Sequence, residues 1–180
     1  MTLVLLLGGA RSGKSELAVR IAAAQPAPVT LIATAEASDP EMEERIDRHR
    51  AERPADWTVL EVALELRQAT TGAPPNNCVL IDCLTLWTAN LLTDHDEDAI
   101  RALATDAAHA AAARSGLTLA VSNEVGLGIV PDNALARRYR DLLGRVNAIW
   151  AAEAERAYLL VAGRLLPLND ATGLVEDLSK

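Results

Sequence analysis

The stretch Gly8-Gly9-Ala10-Arg11-Ser12-Gly13-Lys14-Ser15 satisfies the pattern GxxxxGK(S/T), and its setting constrains the fold more than any other feature. An uninterrupted apolar run, residues 3–7, leads into it, and a segment rich in helix formers, residues 15–24, follows. A short run without polar alternation fits a strand buried on both faces, as in a parallel sheet. Between strand and helix, glycines let successive backbone N–H groups curl around phosphate oxygens, and the helix N-terminus adds partial positive charge. Lys14 is placed to reach β- and γ-phosphates, and Ser15 to ligate Mg²⁺ through its hydroxyl.

The same alternation continues along the chain. Apolar runs at 29–34, 57–62, 78–81, 117–122 and 158–162 predict strands. Asp39-Pro40 opens a helix that Pro54 ends. Further helices are expected over 64–70, 84–92 and 96–114, then one long helix with Leu135, Tyr139, Leu142, Leu143, Val146, Ile149 and Trp150 on one face. Strands alternating with helices predict an α/β fold, a mostly parallel sheet covered by helices on both faces. A P-loop NTPase-like single domain over residues 1–180 is the simplest reading, with no element assigned after about residue 168. With Phe absent, the core must be built from Leu, Val, Ile and Ala.

A formal net charge of −8 argues against a general nucleic-acid or anionic-membrane binder. No apolar run approaches the roughly 18–20 residues of a membrane span. The first basic side chain, Arg11, follows the leading apolar run, the reverse of a secretory signal, so a cytoplasmic protein is expected. Cys78 and Cys83 lack metal or redox spacing and read as core thiols.

The run Cys78-Val79-Leu80-Ile81 ends in Asp82, which fits an acid at the carboxyl edge of a strand, beside the metal. The alternative is a cap for the helix that follows. No NKxD element is present, so motif chemistry does not choose GTP over ATP. A small-molecule kinase, a nucleotidyltransferase and a nucleotide-switched interaction module all remain open at this point.

Arg45, Arg48, Arg50 and Arg53 surround His49 within nine positions. One reading is a histidine at the edge of a helix face, with arginines paired to Glu41, Glu44, Asp47 and Glu52. The other is a neutral imidazole that attacks phosphorus and forms a covalent intermediate, with arginines holding the phosphates. Asn123, Glu124, Gly126 and Gly128 follow a predicted strand at the edge where ligands bind, and are candidate substrate contacts. Arg137, Arg138, Arg140 and Arg145 either extend the anionic site or form a solvated face.

GGARSGKS, the IAT of residues 32–34, EMEERIDRHRAERPADW, LIDCLT and SNEVGLGIVPDNALARRYRDLLGRVN occur in that order. Together they resemble the bifunctional adenosylcobinamide kinase and adenosylcobinamide-phosphate guanylyltransferase family over roughly residues 2–163. That resemblance implies phosphorylation of adenosylcobinamide, with ATP or GTP as substrate, then transfer of GMP from GTP to the resulting phosphate. It implies that His49 accepts GMP. It also implies GTP contacts from Gly8, Gly9, Ala10, Arg11, Ser12, Gly13, Lys14 and Ser15, from Ala33, Thr34 and Ala35, and from Arg50, Ala51, Glu52 and Arg53, with Glu61 and Asp82 completing the site. A homotrimer is implied as well. For the alcohol proton, Asp82 and Glu124 are equal candidates.

Overall fold

The computed structural model describes residues 2–36, 40, 43, 44, 46, 50 and 54–171. Among them seven strands form one sheet in the order β3-β2-β4-β5-β1-β6-β7. These are β1 Thr2–Gly8, β2 Val29–Ala33, β3 Thr58–Glu61, β4 Cys78–Asp82, β5 Leu117–Asn123, β6 Arg156–Val161 and β7 Arg164–Leu168. The first six are parallel, and β7 returns antiparallel to β6. The helices with continuous description are α1 Lys14–Ala23, α2 Leu66–Gly72, α3 Leu84–Asp94, α4 Glu97–Ala112 and α5 Ala134–Glu153.

Strand alternation decides the layers. Leu3, Leu5 and Leu7 of β1 join a core with Trp87, Ile100, Leu142 and Trp150, whereas Val4 and Leu6 pack with Ala18 and Ala22 of α1. The buried positions of α1 are Lys14, Ala18 and Ala22, and α4 buries Ala104, Ala107, Ala108 and Ala111 along its stripe. Methyl side chains let both helices lie close to their neighbours, so a dense core forms without Phe. Local capping agrees with the register: Asp96 accepts from the Ala99 N–H, and Asn133 from those of Leu135 and Ala136.

The parallel sheet with helices on both faces is as the sequence predicts. The carboxyl end is not. A single last strand was expected over 158–162, but β6 turns through Ala162 (φ 50) and Gly163 (φ 72) into β7. Two left-handed residues make a turn that suits a hairpin, and Ala at the first of them hides it from sequence patterns keyed to Asn-Gly. Leu135 also departs from its expected core face, being 61% exposed at the start of α5. The helix expected over 40–53 lies partly outside the described residues; Pro40, Glu43, Glu44, Ile46 and Arg50 are helical.

Arg114 clamps the far end of the sheet. Its buried guanidinium donates to the carbonyls of Thr70, Ala73, Pro74 and Asn77, closing the loop between α2 and β4. Burial without a facing carboxylate lowers its pKa, yet an arginine stays charged, so four carbonyl dipoles hold the cation.

Candidate active site

The phosphate loop leaves β1, an interior strand between β5 and β6, at the carboxyl edge of the sheet. Arg11 (φ 57) and Gly13 (φ 93) are left-handed, and alternating such residues with right-handed ones produces a concave nest of N–H groups. Gly8 is required sterically: a Cβ there would lie 2.6 Å from Ser12 Oγ and 2.7 Å from the Leu160 carbonyl. Lys14 is 8% exposed and its ammonium folds across the loop onto the Gly9 carbonyl at 3.0 Å. The β6–β7 turn braces the loop from one side, Gly163 N–H donating to Ser12 O at 3.2 Å. On the other side the Glu124 N–H donates to Gly8 O at 3.1 Å.

Asp82 ends β4 facing the first turn of α1, and its Oδ1 accepts from the Ser15 hydroxyl at 3.4 Å. It does not cap the next helix: Cys83 is the N-cap of α3 and makes no side-chain cap bond. One carboxylate and one hydroxyl thus converge beside the phosphate loop. Among the described residues no group of three or more His, Cys, Asp or Glu converges. This sparse oxygen pair suits Mg²⁺, which keeps several waters and takes substrate phosphates, better than a cation needing a full protein cage.

Thr34 positions this acid rather than facing solvent. Fully buried, it donates its hydroxyl to Cys83 O at 2.7 Å and accepts the Cys83 N–H at 2.9 Å. Its own N–H bonds Asp82 O, and its carbonyl accepts from Asn90 at 2.9 Å. Ala33 is also buried, with its carbonyl taking the Val62 N–H. Burial raises the Cys83 thiol pKa, reinforced by the Asp82 charge, so this cysteine remains a protonated neighbour of the site.

Ala35, Arg50 and Glu61, far apart in the chain, line one cavity of about 430 Å³ with Glu36, Glu43, Ile46, Val62 and Ala63. Arg50 reaches Glu61 Oε1 through Nε at 3.0 Å and Nη2 at 2.6 Å. Arg50 therefore reaches across to the end of β3, a pairing that helical spacing does not suggest. The cavity is polar, open and of a size for a nucleobase with its sugar. His49, Ala51, Glu52 and Arg53, with Arg45 and Arg48, lie outside the described residues.

At the end of β5, Asn123 pairs in register with Gly8. Its N–H donates to Thr85 Oγ1 at 2.7 Å and its carbonyl accepts from Asn147 at 3.0 Å. Asn147 in turn takes the Ser122 hydroxyl at 2.6 Å, and Tyr139 OH donates to Thr85 O at 3.1 Å. Sequence reading passed over Thr85 and Asn147, because contacts between α3, β5 and α5 leave no local pattern. Glu124 accepts the Gly126 N–H at 2.6 Å, which folds the loop that follows. The arginines of α5 are all engaged by protein groups. Arg138 and Arg145 pair with Glu97, Arg140 with Asp141, and Arg137 holds the carbonyls of Pro131 and Asp132.

A phosphate loop after an interior parallel strand, with its serine met by an acid from β4, one strand removed across β5, defines a P-loop NTPase-like α/β protein. A solved Pyrococcus horikoshii protein, described only as a structural study, superposes with a TM-score of 0.55 at 7% identity, covering 92% of this chain and 85% of that one, which supports the fold alone. The family model for cobinamide kinase / cobinamide phosphate guanyltransferase matches residues 4–168, and the chain belongs to that family. Among its relatives, the bifunctional adenosylcobalamin biosynthesis protein CobP of Pseudomonas aeruginosa is 45% identical over 92% of this chain and 96% of that protein. CobU of Escherichia coli, under the same bifunctional description, is 37% identical over 89% and 96%.

Proposed function

We infer that this chain phosphorylates the aminopropanol hydroxyl of adenosylcobinamide and then transfers GMP from GTP to the new phosphate, releasing pyrophosphate. The family match across residues 4–168, spanning the phosphate loop, Asp82 and the β5 edge, carries the reading. In the kinase step the loop N–H groups and Lys14 cradle the nucleotide phosphates, which positions the γ-phosphorus for the alcohol. Ser15 and Asp82 would hold Mg²⁺, whose charge offsets that developing on the phosphate oxygens. A loose phosphoryl-transfer transition state asks little of a base. Between the two candidates for the alcohol proton, Asp82 is turned toward Ser15, and Glu124 shares one oxygen with its own loop.

In the second step His49 attacks the α-phosphorus of GTP, forming a phosphoramidate as the bond to pyrophosphate breaks. The cobinamide phosphate then displaces His49, giving adenosylcobinamide-GDP and the free imidazole. The cavity bounded by Ala35, Arg50 and Glu61 supports the nucleotide-contact assignments, Glu61 offering a carboxylate to ring N–H donors. A homotrimer in the cytoplasm completes the proposal; no helix among the described residues is long and apolar enough to cross a membrane.

The test is incubation with α-labelled GTP and Mg²⁺, then denaturation. Acid-labile, base-stable label on the protein is expected, as is γ-label transfer to adenosylcobinamide. No protein label would reject the histidine route, and no corrinoid label would reject the kinase assignment.

A further inference from the structure

Exposed aliphatic side chains concentrate where β5 leaves the sheet. Leu127 is 82% exposed, Ile129 97% and Val130 58%. In a chain of net charge −8, residues 125–131 carry no charge at all. The loop is pinned at both ends, by the Glu124 carboxylate on the Gly126 N–H and by Arg137 on the Pro131 and Asp132 carbonyls. It therefore displays these side chains instead of letting them collapse.

The two glycines of the loop differ. A Cβ on Gly126 would meet Glu124 Oε1 at 2.9 Å, so a side chain there would displace the carboxylate that holds the loop. A Cβ on Gly128 would meet nothing within 4 Å, and its φ is not left-handed. The fold does not demand Gly128. What it supplies is bare main chain between two protruding aliphatic side chains, a shape that lets a flat ligand approach closely.

The loop borders the phosphate site directly, because Asn123 pairs with Gly8 and the Glu124 N–H bonds the Gly8 carbonyl. We propose that Leu127, Gly128, Ile129 and Val130 form the subsite for the corrin macrocycle, whose methyl-bearing ring lies on this patch while its aminopropanol arm reaches Lys14. The assignment rests on the cobinamide reading above. A macrocycle too broad for the phosphate loop must rest beside it, and its cobalt-centred positive charge meets Glu124 and Asp132, the acids at either end of the apolar stretch. The other exposed apolar group, Leu165, Leu166 and Leu168, has different chemistry. It lies on β7, a sheet-edge strand with only β6 as its strand partner among the described residues, which suits another polypeptide.

The experiment compares the parent protein with Leu127→Ser/Ile129→Ser and with Gly128→Val. Adenosylcobinamide and GTP are each titrated by calorimetry, and oligomeric state is followed by sedimentation. Both variants should weaken adenosylcobinamide binding about tenfold or more, leaving GTP affinity, melting temperature and oligomeric state at parent values. Unchanged corrinoid affinity in both variants overturns the subsite. A changed oligomeric state also overturns it, assigning the patch to contacts between copies. If the parent itself binds no adenosylcobinamide, the functional reading fails and the subsite with it.

Discussion

At the scale of single residues, the proposed function divides the chemistry between Asp82 and His49. Asp82 meets the Ser15 hydroxyl at 3.4 Å and caps no helix, so its charge is available for a cation. Asp82→Asn keeps the shape and removes the charge. Mg²⁺ titrations of either half-reaction should then need higher metal for half-maximal rate, with turnover down about a hundredfold. Parent-like titration curves would show that the acid has only a structural part. His49→Ala should abolish the covalent GMP adduct and guanylyl transfer while phosphorylation of adenosylcobinamide remains measurable. That separation follows because direct γ-phosphoryl transfer needs no imidazole nucleophile, whereas a phosphoramidate route does. Persistent labelling from α-labelled GTP in this variant would return the surrounding arginines to a helix surface.

At the scale of elements, the phosphate loop and the Arg114 clamp are held by contacts that span the sheet. Gly8→Ala would force a methyl group against Ser12 and the Leu160 main chain, and the latter cannot rotate away. The loop must shift, so nucleotide affinity should fall at least tenfold by calorimetry while far-ultraviolet dichroism stays unchanged. Arg114 works at the opposite edge, remote from the site. Arg114→Met leaves four carbonyls without their buried donor, and denaturant unfolding should show a loss of about 3 kcal/mol or more. Catalysis in the remaining folded protein should be close to normal, because no ligand contact is removed.

At the scale of the whole molecule, one sheet joins both core layers, so heating should give a single cooperative transition. Cysteine burial sets part of its pH dependence. Cys78, buried at the start of β4, has its thiol pushed up to about 11 by burial, against 9.0 ordinarily. The folded state thus holds this proton more tightly than the unfolded chain. Its contribution is fully present below pH 9 and is lost as pH rises through about 11. The melting temperature should fall across that window, and Cys78→Ala should flatten the decline relative to the parent. An equal slope in the two proteins would exclude this thiol as a source.

Much of this protein is legible in its sequence because the relevant physics is local. Continuous apolar runs announce strands buried on both faces, and the glycine spacing of residues 8–15 announces a phosphate nest. A strand ending in Asp82 beside that nest follows from parallel topology, although only the folded chain turns the acid to Ser15 and leaves the next helix without a side-chain cap. Other features exist only in the folded chain. The Arg50–Glu61 pair, the Thr34 bonds to Cys83 and the support of Asn123 by Thr85 and Asn147 join separate elements of the sheet and its helices. The β6–β7 hairpin needed Ala162 in a left-handed conformation that local preference disfavours, and the turn is tied back to the phosphate loop through Gly163 and Ser12. Local sequence determined which segments become strands, helices and phosphate loop, since periodicity and backbone freedom act over a few residues. Tertiary structure decided which acid faces the serine, which arginines are already paired and which apolar side chains remain outside, since each depends on neighbours that the chain brings together only by folding.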